Sequence, residues 1–167
     1  MVPTFDTLDE AVRATFPVQS TRIVAVSEHG DAAVALFDTR PGDEPYLYEV
    51  HYHRENGQWS EGSSSNGSGW HGLSRESDLG VETAWGDAPP DADTVRVERD
   101  GRVFEEAAAF GVYFLAWWEV LDARAEAKAF RVKGEWVRAP ATWQEMLVQQ
   151  EARRRARGSS GGGLTSA

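Results

Sequence analysis

The chain has 167 residues, a formal net charge of −10 and no cysteine. The absence of cysteine excludes disulfides, thiol catalysis and thiolate metal sites, and the negative charge disfavours binding to a nucleic-acid backbone. Apolar residues make up 41% of the chain, which for a length typical of one domain predicts a folded core rather than disorder.

The amino-terminal segment predicts a short helix over about residues 8–15. Thr7 and Glu10 have the spacing of a capping box, and Pro17 follows the last apolar position of the helical pattern. The segment lacks the basic and apolar regions of a signal peptide, and the longest apolar run, near Val112–Trp118, is too short to span a bilayer. We therefore expect a soluble, cytoplasmic protein, and the residue usage is typical of a bacterial one.

Alternating and apolar runs separated by turn-forming pairs predict that most of the chain is β structure. Asn56-Gly57 is typical of a two-residue hairpin turn, and Asp100-Gly101 has the same chemistry. A third hairpin is expected at Gly134-Glu135, and Ala123–Ala129 is expected to be a helical turn or a loop. The expected strands are Thr21–Ser27, Ala32–Asp38, both arms of the hairpin Tyr46–Glu61, Val81–Trp85, Thr94–Arg99, Arg102–Ala107, Val112–Val120, Ala129–Lys133 and Trp136–Arg138.

The first hairpin carries the only two histidines of the chain that lie two residues apart, His51 and His53. Side chains alternate across a strand, so Glu49, His51 and His53 share one face, which we expect to be polar and exposed. Imidazole and carboxylate groups suit zinc or iron, so the three residues are a candidate metal site. The interpretation we favour is a pair of surface histidines.

Residues 62–80 are expected to form a long loop, because the run Gly62–Gly69 is rich in glycine and serine. Trp70 within it is either an anchor that folds the loop onto the body or a contact for a partner, since interfaces favour tryptophan. His71 and Trp118 are the other candidate partner-binding residues. A subdomain break in this loop is the alternative to one shared core.

The carboxyl-terminal segment predicts a second helix. Thr142 and Glu145 have capping-box spacing, the last turns are rich in arginine, and Gly158 is expected to end the helix. Residues 1–157 are therefore expected to form a single globular domain, followed by a flexible Gly/Ser tail at residues 158–167.

The expected fold class is mainly β with flanking helices (α+β), in an antiparallel or mixed sheet or sandwich of about eight to ten strands. The Gly-x-Gly-x-x-Gly pattern at Gly67–Gly72 does not follow an expected strand, so it does not indicate a nucleotide site. No motif specifies an enzyme, and we expect no catalytic residue, no cofactor, and neither a nucleic-acid nor a membrane partner.

The function we favour is a non-enzymatic protein-interaction module, of an immunity, adaptor or regulator kind. Its acidic body would suit a cationic protein partner. Two alternatives stay open: an assembly subunit that docks or self-associates through the carboxyl-terminal helix, and a small-molecule or metal-dependent site on the face of Glu49, His51 and His53.

Overall fold

A computed structural model of the chain describes residues 1–42, 44–68, 72–76, 79–119 and 125–159. This part contains twelve strands and two helices, most of them joined by short turns. The elements are β1 Thr4–Phe5, α1 Leu8–Thr15, β2 Arg22–His29, β3 Ala32–Asp38, β4 Tyr46–Glu55, β5 Gln58–Ser68, β6 Gly72–Glu76, β7 Val81–Asp87, β8 Ala92–Arg99, β9 Arg102–Ala109, β10 Val112–Trp117, β11 Ala125–Val132, β12 Glu135–Arg138 and α2 Trp143–Ser159.

The strands form two antiparallel sheets. The five-stranded sheet has the order β1-β5-β4-β3-β2, and the seven-stranded sheet has the order β12-β11-β8-β9-β10-β7-β6. The mainly β class with flanking helices is therefore confirmed, with two strands more than the upper end of the expected range. No helix in the described part of the chain has both the length and the apolar content needed to cross a bilayer.

Two of the three expected hairpin turns form at the predicted residue pairs. Asn56 and Gly57 have φ values of 52° and 81°, the left-handed conformations that a two-residue hairpin turn requires. The register of β4 and β5 places Glu55 opposite Gln58 and His53 opposite Ser60, as the turn predicts. Asp100-Gly101 adopts the same backbone conformation, which confirms the second hairpin. The third hairpin also forms, but its turn residues are Lys133-Gly134, one position before the expected Gly134-Glu135.

Two predictions about local structure are wrong. The run Gly62–Ser68 is not a loop, because it extends β5 and pairs with the first half of β4. The backbone hydrogen bonds of that ladder outweigh the weak strand preference of glycine and serine. Ala125–Val132 is likewise a strand, since it pairs with both β8 and β12.

The apolar side chains form three clusters. The first lies on the outer face of the five-stranded sheet, where α1 covers Val50, Tyr52 and Trp59. The second lies between the sheets and includes Leu36, Leu47, Trp85 and Val112, while partly buried Val24 and Phe114 pack against it. The third lies within the seven-stranded sheet and includes Val95, Val97, Tyr113, Leu115 and Phe130.

Both helices begin as their sequences predict. The Thr7 hydroxyl accepts a hydrogen bond from the Glu10 amide, and the Glu10 carboxylate accepts one from the Thr7 amide, so the first capping box is confirmed. At α2 the Thr142 hydroxyl accepts from the Glu145 amide, but the Glu145 carboxylate accepts from the Ala141 amide instead. Helix α2 continues to Ser159, so Gly158 lies inside its last turn, and residues 160–167 lie outside the described part.

Candidate functional site

Among the described residues, no strand pairs with the outer edge of β2 in the five-stranded sheet. Within the described chain β2 pairs only with β3, so its other edge presents backbone amide and carbonyl groups that form no ladder. From Ile23 to Ser27 this edge strand carries no charge, and the side chain of Val26 is 46% exposed. Natural edge strands are usually protected by charged residues or by being short. A long uncharged edge is therefore a candidate for binding another strand.

The edge of β2 faces an opening in the second sheet. Strands β9 and β10 pair at only two positions, Val112 with Ala109 and Tyr113 with Ala108, and then separate in the described part of the chain. The space between them and β2 is a groove of about 550 Å³, which we call the β2 groove. Its size is within the usual range for ligand sites. Its walls are Arg22–Ser27 of β2, Glu106, Ala107 and Ala109 of β9, Phe110 of the turn, and Val112 and Phe114–Ala116 of β10.

One end of the β2 groove is marked by a strained and exposed aromatic residue. Phe110 has a φ of 56°, a region that bulky residues rarely adopt, and its side chain is 68% exposed. The guanidinium carbon of Arg22 lies 3.9 Å from the centre of its ring, which is cation–π distance. Strained residues of this kind are concentrated at functional sites. The pair Phe110-Gly111 is also a hairpin turn that sequence analysis did not predict.

A second cavity adjoins that end and is lined by residues distant in sequence. It has a volume of about 360 Å³, and we call it the arginine cavity because Arg22, Arg153 and Arg157 line it. Asp87 lies where this cavity meets a small pocket under α2. Its Oδ2 atom accepts a hydrogen bond of 3.3 Å from Gln150, and burial raises the pKa of Asp87 to about 7.

The candidate metal residues do not form an exposed polar face. Glu49 and His51 are buried between the two sheets, so the expectation of surface histidines is wrong for His51. The sequence could not show this, because the polar face of one hairpin became buried only when β7 packed on it. His53 is exposed and its Nε2 atom lies 3.0 Å from the Ser60 hydroxyl.

The buried pair has its own polar contacts. The Nε2 atom of His51 lies 3.2 Å from the Glu49 carboxylate without hydrogen-bond alignment, so this contact becomes an ion pair only when His51 is protonated. The Nδ1 atom of His51 lies 3.2 Å from the Ser63 hydroxyl. The order hydroxyl, imidazole, carboxylate is that of an activated nucleophile. However, the three cavities named above are lined by other residues, and no groove among them leads to Ser63.

No group of three metal-ligating side chains is present among the described residues. Glu49 and His51 approach each other, but His53 is engaged with Ser60 at the exposed end of the hairpin. The chemistry of the three residues suits a metal ion, whereas their arrangement in the structure does not bring them to one point.

The three candidate partner-binding residues have different positions. Trp118 is half-buried after the end of β10, where its indole nitrogen donates a 2.9 Å hydrogen bond to the Ser27 hydroxyl. It also stacks on His29 with ring centres 5.6 Å apart. Because Ser27 lines the β2 groove, Trp118 lies at the end of the groove opposite Phe110. Trp70 and His71 lie outside the described residues, and their role stays a prediction.

Sequence analysis missed the residues that line the two cavities. The signal for the groove was present in the run Ile23–Ser27, which is long and uncharged for an edge strand. It was not usable, because the sequence does not say which strand lies at the edge. Compared with known proteins, the chain matches no family model, no curated protein and no solved structure.

Proposed function

We propose that this protein is a recognition module that binds an extended segment of a partner polypeptide along the free edge of β2, without catalysing a reaction on it. The observation that carries this proposal is the unpaired, uncharged edge at Ile23–Ser27 facing a groove of about 550 Å³. An added strand would form main-chain hydrogen bonds with that edge. Its alternate side chains would enter the groove, where Val24 and Phe114 supply apolar contact area.

Charge defines the class of segment that we propose. The chain has a net charge of −10, and such a surface steers a positively charged partner toward encounter. Glu106 lines the groove, and Glu28 is exposed immediately after Ser27, the last β2 residue of the groove wall, so carboxylates lie near the path of the segment. The segment is therefore expected to be apolar where it enters the groove and basic beside it.

The test is a screen of degenerate hexapeptides on two arrays, one attached through the amino end and one through the carboxyl end. Retained sequences are resynthesised with a fluorescent label, and their dissociation constants are measured by fluorescence anisotropy. Val26→Lys places a positive charge on the groove wall and is expected to weaken binding at least about tenfold, or about 1.4 kcal/mol. Retained peptides are expected to be basic and to bind more weakly as salt is added.

The matched control is Val103→Lys. Val103 is also an exposed strand valine, 58% exposed, but it does not line the groove. Val103→Lys changes the net charge by the same amount as Val26→Lys, but it leaves the groove unaltered. The peptide affinity of Val103→Lys is therefore expected to stay close to that of the wild type. Failure of both arrays to retain any peptide would contradict the proposal, as would equal weakening by Val103→Lys and Val26→Lys.

A second candidate function is an assembly subunit that associates through α2. The observation in its favour is a pair of exposed apolar residues on that helix, Leu147 at 44% and Val148 at 69%. A concentration-dependent mass in light scattering that the double variant Leu147→Lys/Val148→Lys abolishes would support this function. A mass that stays monomeric at all concentrations would contradict it.

A further inference from the structure

The β2 groove and the arginine cavity are adjacent. Arg22 and Phe110 line both of them, so the boundary between the two spaces is the contact between these two side chains. A segment that follows β2 toward Arg22 therefore reaches the arginine cavity at its end. Strand β2 begins at Arg22, so a segment whose carboxyl end lies at Arg22 runs antiparallel to β2. All neighbouring strands in this sheet pair in the antiparallel direction.

Two half-buried arginines of the arginine cavity form no ion pair with a carboxylate of the described residues. No hydrogen bond or ion pair joins Arg22 or Arg153 to another side chain in the described part of the chain, apart from the stacking of Arg22 on Phe110. Elsewhere in this acidic protein arginines are commonly paired, as Arg13 is with Asp9 and Arg131 is with Asp93. Two partly desolvated guanidinium groups at one cavity form an attractive site for an anion.

The acidic residues of the same cavity compete weakly for these guanidinium groups. The Glu44 carboxylate is held by Arg154 at 2.7 Å and 3.0 Å, and this contact keeps the pKa of Glu44 below its usual value. Asp87 attracts Arg153 electrostatically without forming an ion pair, and burial raises the pKa of Asp87 to about 7, so near neutral pH this carboxyl is only partly ionised. Arg157 lies one helical turn beyond Arg153 on α2 and adds a further positive charge to the same wall.

We infer that the segment bound along β2 is the carboxyl-terminal end of a partner chain, and that Arg22 and Arg153 bind its terminal carboxylate. This inference rests on the proposed function and names the part of the partner that the groove receives. Guanidinium groups bind carboxylates through paired, charge-assisted hydrogen bonds, and capture of a terminal carboxylate is a known mode of peptide recognition. The backbone ladder along β2 would fix the direction of the segment, and the arginines would fix its end.

The experiment compares each retained peptide in two forms, with a free carboxyl terminus and with a carboxyl-terminal amide. Both forms are titrated by fluorescence anisotropy into the wild type, Arg153→Gln, Arg22→Gln and the control Arg102→Gln. Arg102 is exposed on β9 and lines neither cavity. Circular dichroism and thermal unfolding show whether each variant keeps its fold. The free-acid peptide is expected to bind the wild type about tenfold more tightly than the amide, or about 1.4 kcal/mol.

Arg153→Gln separates the inference from the proposed function, because Arg153 lines only the arginine cavity of the two. It is expected to weaken the free-acid peptide about tenfold and to leave the amide peptide unchanged, which a general loss of folding would not do. If the acid and amide peptides bind equally tightly and Val26→Lys weakens the binding of both, the inference is overturned and the proposed function is kept. A preference for the acid that survives both Arg153→Gln and Arg22→Gln would also overturn it, and absence of all peptide binding would overturn both.

Discussion

The hydroxyl of Thr83 on β7 donates a hydrogen bond to the carboxylate of Glu49 on β4, and both side chains are buried where the two sheets meet. Glu49 and Thr83 thereby add a buried polar link between sheets that also pack through the apolar side chains of Leu36, Leu47 and Trp85. A buried carboxylate requires hydrogen-bond donors to compensate for its lost hydration. Thr83 is therefore expected to contribute to the packing of one sheet on the other.

Thr83→Val tests this link, because valine has nearly the same shape but lacks the hydroxyl donor. We expect the free energy of unfolding to fall by about 1–3 kcal/mol, the usual cost of a buried polar group that loses its partner. Urea denaturation followed by tryptophan fluorescence measures the change. The control is Thr94→Val, since the Thr94 hydroxyl bonds to Asp93 at the surface, and its effect is expected to be within about 0.5 kcal/mol. Equal effects of the two variants would contradict the prediction.

Arg99 is a fully buried guanidinium whose partners come from two other segments. It lies 3.2 Å from the Glu82 carboxylate and 3.4 Å from the Glu119 carboxylate, with its guanidinium carbon 4.8 Å from the centre of the Trp117 ring. Arg99→Met is expected to lower the free energy of unfolding by about 3–5 kcal/mol, because it removes the positive charge that compensates buried Glu82. Urea denaturation measures the loss.

The double variant Arg99→Met/Glu82→Leu is expected to lose less stability than Arg99→Met alone. Replacing both members of a buried ion pair with apolar residues removes the uncompensated charge. The control is Arg131→Met, which breaks an exposed ion pair with Asp93 and is expected to cost less than about 1 kcal/mol. A double variant less stable than Arg99→Met alone would contradict the prediction, because it would show that Glu82 contributes stability that does not depend on Arg99.

Asp87 makes stability depend on pH. Burial raises its pKa from 3.8 to about 7, so the folded state binds a proton more tightly than the unfolded state does. The stabilisation linked to that proton is complete below about pH 4 and is lost as the pH rises to 7. The full change from a pKa of 3.8 to about 7 corresponds to at most about 4 kcal/mol.

Asp87→Asn removes this titration while keeping a side chain of similar shape. Relative to the wild type, the variant is therefore expected to become progressively more stable between pH 4 and pH 8. Urea denaturation of both proteins at intervals across this range measures the difference. A difference that stays constant with pH would show that Asp87 does not titrate in this window.

Metal analysis tests the alternative on the face of Glu49, His51 and His53. The structure engages His51 with Ser63 and His53 with Ser60, at nitrogen–oxygen distances of 3.2 Å and 3.0 Å. We therefore expect the purified protein to contain no stoichiometric zinc or iron, and its unfolding temperature to be unchanged by a chelator. Stoichiometric metal that is lost in His51→Gln would favour the metal-dependent function instead.

The structure agrees best with the sequence where the physical cause is local. The turns at Asn56-Gly57 and Asp100-Gly101, the register of the first hairpin and the capping box of Thr7 and Glu10 each depend on a few neighbouring residues. Backbone conformation and short-range hydrogen bonds decide such features, and a sequence displays them directly. The run Gly62–Ser68 departed from the predicted loop because its structure depends on pairing with β4, not on its own composition.

By itself the sequence determined that the chain is mainly β, where most of its hairpins turn and where its helices begin. The tertiary structure decided which strand lies at the edge, which polar face is buried, and that Arg22 and Arg153 line one cavity. These outcomes depend on how two sheets and a helix pack on one another. The packing joins residues more than a hundred positions apart, and no local pattern specifies such contacts.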